Sequence, residues 1–196
     1  DAVLVVTPYY NKCTQTGLIK HYEAVSGATK LPVIIYNVPG RTGVNVLPTT
    51  LSTLADINNI VAVKEASANI NQIAEIASLC KDRIDIYSGN DDHIVPVLSL
   101  GGIGVISVIA NVAPKDTHDM VMSFLDRDVK KALDLQMKAF PLVKALFKEV
   151  NPIPVKAALK LLGFNMGGNR LPLCDPSEET MSNLKREMIA YGFDIL

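Results

Sequence analysis

The 196 residues are 48% hydrophobic, 20% charged and 6% aromatic, an ordinary soluble globular composition well above the hydrophobicity at which chains stay disordered. With 19 basic against 20 acidic side chains the net charge is −1, which removes any general electrostatic reason for nucleic acid or an anionic membrane as partner. Lys, Asp, Asn or Gly interrupts every apolar run before the roughly 18 residues of a membrane span, and Cys13, Cys80 and Cys174 are too scattered for a disulfide framework or a metal knuckle. A small-molecule partner and a reducing compartment, the cytoplasm, are expected.

The chain opens on Asp1-Ala2-Val3-Leu4-Val5-Val6, which reads directly as a buried strand with no charged leader before it. It reads as a chain that begins inside a domain, with any targeting segment upstream. Five short Val- and Ile-rich runs are expected as strands: Val3 to Val6, Val33 to Val38, Ile60 to Lys64, Ile84 to Ser88 and Gly104 to Val108. Each is continuous rather than alternating, as in parallel strands covered on both faces.

Helical patterns fill the gaps. Leu18-Ile19-His21-Tyr22-Val25 has a rough 3.6 period, Leu51 to Ala55 suits a short helix, and Ile70-Ile73-Ala74-Ile76-Ala77-Cys80 forms an apolar stripe. Asp91 to Leu100 follows with an acidic start. Beyond the fifth strand the pattern is purely helical: Pro114 to Leu125, Asp128 to Phe147, Pro152 to Gly163 and Pro176 to Tyr191 each begin near Pro, Asp or Ser. Five βα steps suit an open doubly wound sheet or part of a closed barrel, which needs eight strands and roughly 250 residues. Both architectures place their sites at the carboxyl ends of the strands, where Tyr9-Tyr10, Tyr36-Asn37, Lys64-Glu65, Ser88-Gly89 and Ala110-Asn111 stand.

Lys64 is the most informative residue. Strict alternation puts it on the face of Ile60 and Ala62, so its ammonium points among apolar walls. Desolvation there lowers its pKa and frees a neutral amine for a Schiff base with a carbonyl substrate, with small Ala62 leaving room beneath. The plainer alternative is a strand-end lysine that snorkels to solvent. Tyr36 ends the preceding strand, and a strand spacing of about 4.8 Å would bring its phenol to whatever bonds to Lys64, as a proton shuttle or simply as a core tyrosine. Pro39-Gly40-Arg41-Thr42-Gly43 reads as a turn from which Arg41 could grip a carboxylate with two hydrogen bonds, or pair with a surface acid.

Other motifs fall away. Gly101-Gly102-Ile103-Gly104 precedes a strand rather than following one, so it is no dinucleotide fingerprint, and no Gly-Lys-Ser/Thr completes a phosphate loop. His21, His93 and His118 have no metal-ligand spacing, and Asp91-Asp92 reads as a helix cap. No metal and no cofactor is expected.

Taken in series, Thr7-Pro8-Tyr9-Tyr10-Asn11, Tyr36-Asn37-Val38-Pro39-Gly40-Arg41-Thr42-Gly43, Val63-Lys64-Glu65-Ala66, Ser88-Gly89-Asn90-Asp91, Gly104-Val105-Ile106-Ser107 and Asn151-Pro152-Ile153-Pro154-Val155-Lys156 closely resemble the dihydrodipicolinate synthases. The resemblance runs over the whole chain. It implies an α/β fold, a (β/α)8 TIM barrel with a C-terminal helical extension, with residue 1 near the start of the fourth barrel strand and the first three βα units missing. Residues 1–125 would form the barrel portion and 126–196 the extension packed on it.

The resemblance also implies roles. Lys64 matches the lysine that forms a Schiff base with pyruvate, whose enamine attacks L-aspartate 4-semialdehyde on the way to lysine. Tyr36 matches the proton-relay tyrosine, and Tyr10 the tyrosine that completes the relay in a neighbouring subunit. Arg41 matches the residue holding the semialdehyde carboxylate; Gly89 and the Ile106 backbone match the pocket wall near pyruvate. Tyr9 matches a residue lining the allosteric lysine pocket. A homotetramer built as a dimer of dimers is implied for the intact enzyme. The relay threonine and the carboxylate-binding Thr-Thr-Gly-Glu-type motif fall in the absent part, so this chain is expected to be a fragment, inactive or nearly so alone. The rival readings are another pyruvate-dependent aldolase, such as N-acetylneuraminate lyase or a 2-keto-3-deoxy sugar-acid aldolase, and a non-catalytic binding fragment.

Overall fold

The apolar runs form five parallel strands, β1 (Val3–Val6), β2 (Val33–Asn37), β3 (Ile60–Glu65), β4 (Asp85–Ser88) and β5 (Gly104–Val105), hydrogen-bonded in the order β1-β2-β3-β4-β5. A doubly wound sheet reverses its order at a switch point. An unbroken sequential order of parallel strands joined by helices is the winding of a (β/α)8 barrel, and this sheet is an arc of one. The computed structural model describes residues 1–196, which divide into two compact units, 1–106 and 107–196.

In the first unit, α1 (Gln15–Gly27), α2 (Pro39–Thr42), α3 (Pro48–Leu54), α4 (Ile70–Cys80) and α5 (Ile94–Ser99) connect the strands. Their starts follow from side-chain chemistry. Thr14 accepts from the Gly17 amide to cap α1, Asn69 accepts from the Gln72 amide to cap α4, and proline opens α2 and α3. Leu18 and Tyr22 from α1, Leu51 and Leu54 from α3, and Ile73 and Ile76 from α4 pack on Val33, Ile35, Ile60, Val63 and Ile86. That cluster defines the helix-covered face of the sheet. Leu4, Ile34, Tyr36, Ala62, Lys64 and Tyr87 take the other face by alternation.

Three sequence expectations change. The first concerns Ile60, which lies in the helix-facing cluster with Val63 and so does not share the face of Lys64. The register shifts between Val33↔Ile60 and Ile34↔Ala62, so Val61 is an inserted residue and the alternation flips there. Ala62 and Lys64 do share a face. The second is the fifth strand, which ends at Val105: the Ile106 amide still donates to the Ser88 carbonyl at 2.9 Å, after which the chain leaves the ladder. The third is Pro39 to Gly43, a single helical turn closed by Gly43 in the left-handed region (φ 69°).

In the second unit, α6 (Pro114–Leu125), α7 (Val129–Leu146), α8 (Ile153–Leu161) and α9 (Glu178–Tyr191) form a helical cluster around Leu142, Leu146, Ala158, Leu184 and Met188. Asp128 caps α7 and Ser177 caps α9. Asp116 on α6 joins all three long helices: its carboxylate accepts from Lys138 at 2.8 Å and from the Tyr191 hydroxyl at 2.7 Å. No helix is long and apolar enough to cross a membrane.

Candidate active site

Strand register brings the two central residues together. Tyr36 and Lys64 are direct partners on β2 and β3, and the Lys64 Nζ lies 4.1 Å from the centroid of the Tyr36 ring. An ammonium over an aromatic face is attracted by the ring quadrupole, which holds the side chain across the sheet rather than letting it snorkel along the strand. On the far side Lys64 partners Tyr87 of β4.

The electrostatics fit a reactive amine. Burial lowers the pKa of Lys64; the Asp91 carboxylate works against this, and the Arg41 guanidinium adds to it. Burial likewise raises the Tyr36 phenol, opposed by Arg41, so the phenol keeps its proton at neutral pH. Arg41 therefore acts on both members of the pair from its turn after β2. That turn is tied within itself: the Thr42 hydroxyl donates to the Val44 carbonyl at 2.9 Å, and the Arg41 amide donates to the Val38 carbonyl at 2.9 Å.

Gly89 is placed by packing. A Cβ there would stand 2.6 Å from the Ala66 Cβ and 3.0 Å from the Glu65 carbonyl oxygen, and the Gly89 amide donates to that oxygen at 2.7 Å. Only glycine lets the end of β4 lie so close to the end of β3. Ile106 is half-buried with its amide spent on Ser88, so a ligand contact from it would use the carbonyl or the side chain.

Tyr9 and Tyr10 stand apart from this group. They are 68% and 88% exposed, so neither ring is packed against Lys64 or Tyr36. Tyr10 holds φ 64°, a left-handed conformation that is uncommon for a bulky residue and tends to mark functional positions.

Two residues escaped the sequence reading. Asp91 opens the short 3-10 helix Asp91–His93, is 2% exposed, and its charge reaches Lys64. Glu65, 2% exposed, lies on the helix side of β3 and accepts from Asn37 and from the Ser67 amide at 2.8 and 2.7 Å. Its position directly after Lys64 was the available signal.

Comparison with known proteins gives one consistent result. The profile of the Dihydrodipicolinate synthetase family matches residues 1–190. The 4-hydroxy-tetrahydrodipicolinate synthase of Caldicellulosiruptor saccharolyticus is 58% identical over 195 residues, covering 100% of this chain and 66% of that protein. The crystal structure of the dihydrodipicolinate synthase of Thermotoga maritima superposes with a TM-score of 0.95 at 48% identity, covering 97% of this chain and 66% of that one. The chloride-inhibited dihydrodipicolinate synthase of Acinetobacter baumannii, solved in complex with pyruvate, superposes with a TM-score of 0.94 at 40% identity, over 98% of this chain and 66% of that one. The chain thus spans about two thirds of the length of these relatives.

Proposed function

Because the chain belongs to the Dihydrodipicolinate synthetase family, we propose that it carries the Schiff-base half of a 4-hydroxy-tetrahydrodipicolinate synthase, a lyase of diaminopimelate and lysine biosynthesis. In this reading the neutral Lys64 amine attacks the keto carbon of pyruvate, and water leaves to give an iminium. Loss of a methyl proton yields the enamine, whose carbon attacks the aldehyde carbon of L-aspartate 4-semialdehyde. The substrate amine then closes the ring and displaces Lys64. No metal or redox cofactor enters this sequence.

The observation that carries the reading is the Lys64–Tyr36 pair, an amine whose pKa burial lowers, 4.1 Å from a phenol ring whose pKa burial raises. The protonated phenol is a donor beside the atom that must lose a hydroxyl. Arg41 is assigned to the semialdehyde carboxylate, Gly89 and Ile106 to the pyruvate wall, and Tyr9 to an allosteric lysine pocket. Tyr10, exposed and held in the left-handed region, is assigned to the site of a second copy in a homotetramer. The pyruvate complex of the Acinetobacter baumannii relative supports pyruvate as first substrate, and the names of the relatives favour the synthase over a sugar-acid aldolase. A cytoplasmic location accords with this chemistry.

The test is intact mass after pyruvate and borohydride. The parent chain should gain one pyruvate-sized adduct and Lys64→Ala none; an equal adduct in both overturns the Lys64 assignment, and none in the parent overturns the reading that this chain carries the Schiff-base half.

A further inference from the structure

Three donors converge on one buried carboxylate directly behind the reacting pair. Asn37 Nδ2 donates to Glu65 Oε2 at 2.8 Å, Gln72 Nε2 to the same oxygen at 3.4 Å, and the Ser67 amide to Oε1 at 2.7 Å. Asn37, Glu65 and Gln72 are 0%, 2% and 7% exposed. The network continues into the arm that returns from the Arg41 turn: Asn37 Nδ2 also donates to Asn45 Oδ1 at 2.9 Å, Asn45 Nδ2 to Gln72 Oε1 at 2.8 Å, and the Val46 amide to Asn37 Oδ1 at 3.0 Å.

The placement is specific. Asn37 follows Tyr36, Glu65 follows Lys64, and the two are register partners one step beyond the Tyr36↔Lys64 pair. The same network holds the chain before the Arg41 turn, at Asn37, and after it, at Asn45 and Val46. Burying a carboxylate costs more than burying an apolar side chain of the same size, so adhesion alone is poorly served by it. A carboxylate offers acceptors only, which is what three converging donors require.

We propose that Glu65 is a positioning residue whose buried carboxylate, through Asn37, Asn45 and Gln72, fixes the ends of β2 and β3 and the Arg41 turn, and so sets Lys64, Tyr36 and Arg41 relative to one another. What those three residues do rests on the function proposed above; how they are held does not.

Glu65→Gln keeps size and keeps an acceptor for Ser67 but turns an amide donor toward the donors of Asn37 and Gln72. Asn37→Asp in the same chain reverses the polarity of the pair: the new amide at position 65 then donates to the new carboxylate at position 37, which still accepts from Val46, a concerted flip of the Asn45 and Gln72 amides turns a donor toward position 37 and an acceptor toward position 65 while keeping their mutual bonds, and net charge is restored. The first readout needs no substrate. Trace acylation with acetic anhydride over a range of pH, read by mass spectrometry, reports the titration of Lys64 under the influence of Asp91, Arg41 and Tyr36 around it. In Glu65→Gln the Lys64 midpoint should move toward that of the exposed lysines, and in the double variant it should return.

The second readout is pyruvate trapping, expected to fall about tenfold in Glu65→Gln, within the range that ångström-scale misplacement of a reacting group produces, and to recover in the double variant. A thermal melt accompanies each. An unchanged Lys64 profile and equal trapping in Glu65→Gln overturn the positioning role and leave the synthase reading standing. A parent that traps no pyruvate, with a Lys64 profile that shifts and is rescued, overturns the synthase reading and leaves the positioning role standing. A double variant that fails to fold, or folds without restoring the profile, shows that the carboxylate serves the fold at large and overturns the proposal.

Discussion

The carboxylate of Asp91 pulls against burial and Arg41 at Lys64, and the balance bears on two steps of a Schiff-base reaction in opposite senses. It keeps more of the amine protonated, which slows attack on a keto carbon, yet it stabilises the cationic iminium that follows. Asp91→Asn should therefore lower the pH midpoint of Lys64 acylation while reducing the adduct trapped at saturating pyruvate; a midpoint that stays or rises shows that the charge is not felt at Lys64. Tyr36→Phe separates the ring from its hydroxyl. The ring that holds the amine remains, so trapping should survive within a few-fold, whereas exchange of the pyruvate methyl protons with deuterated water, followed by NMR, should slow about 10²-fold if the phenol moves the proton. Lys64 and Tyr36 are legible in the sequence because each ends an apolar run, where a polar side chain is conspicuous. Asp91 and Glu65 are not: an acid before a helix reads as a cap, and an acid on the helix side of a strand contradicts alternation until its donors are seen.

At the scale of the elements, all five strands are legible as Val- and Ile-rich runs, because parallel strands under helices carry few polar residues. What periodicity misses is the inserted residue at Val61, since a bulge leaves composition unchanged while reversing which side chains face the helices. Alternation counted from Ile60 would put Lys64 on the core side; counted from Ala62 it puts Lys64 beside Tyr36. The ends of β3 and β4 meet more tightly than strands ordinarily do because Gly89 has no side chain. Gly89→Ala must push the Ala66 Cβ and the Glu65 carbonyl away from contacts of 2.6 and 3.0 Å. Overpacking of this kind costs about 1–3 kcal/mol, so the urea midpoint should fall, and Lys64 trapping should fall with it as β3 is displaced. A variant with the parental midpoint would show that the strand ends are free to part.

At the scale of the whole molecule, the sequential strand order settles what composition left open between a doubly wound sheet and a barrel, because order depends on which strands pair and not on what each contains. The helices of residues 107–196 depend less on alternation than on anchoring, and Asp116 ties α6 to α7 and α9. The hydrogen bond from Lys138 holds its carboxyl below the usual range, and the Tyr191 hydroxyl adds to this against partial burial. Burial and the same hydrogen bond raise the Tyr191 phenol, so it remains a donor across the physiological range. A carboxyl whose pKa is depressed by folding stabilises the fold above its unfolded value of about 4, and that contribution is lost as pH falls through the folded value. The stability of the parent, read as a urea midpoint by circular dichroism, should therefore drop between pH 7 and pH values below about 4. Asp116→Asn should start lower at pH 7 and lose less over the same interval, while Tyr191→Phe, which removes one hydrogen bond and leaves the carboxylate with Lys138, should cost about 1 kcal/mol at pH 7. An acid response in Asp116→Asn as steep as that of the parent would assign the loss to other carboxylates, with Glu149 and Glu179 between the end of α7 and α9 next in line.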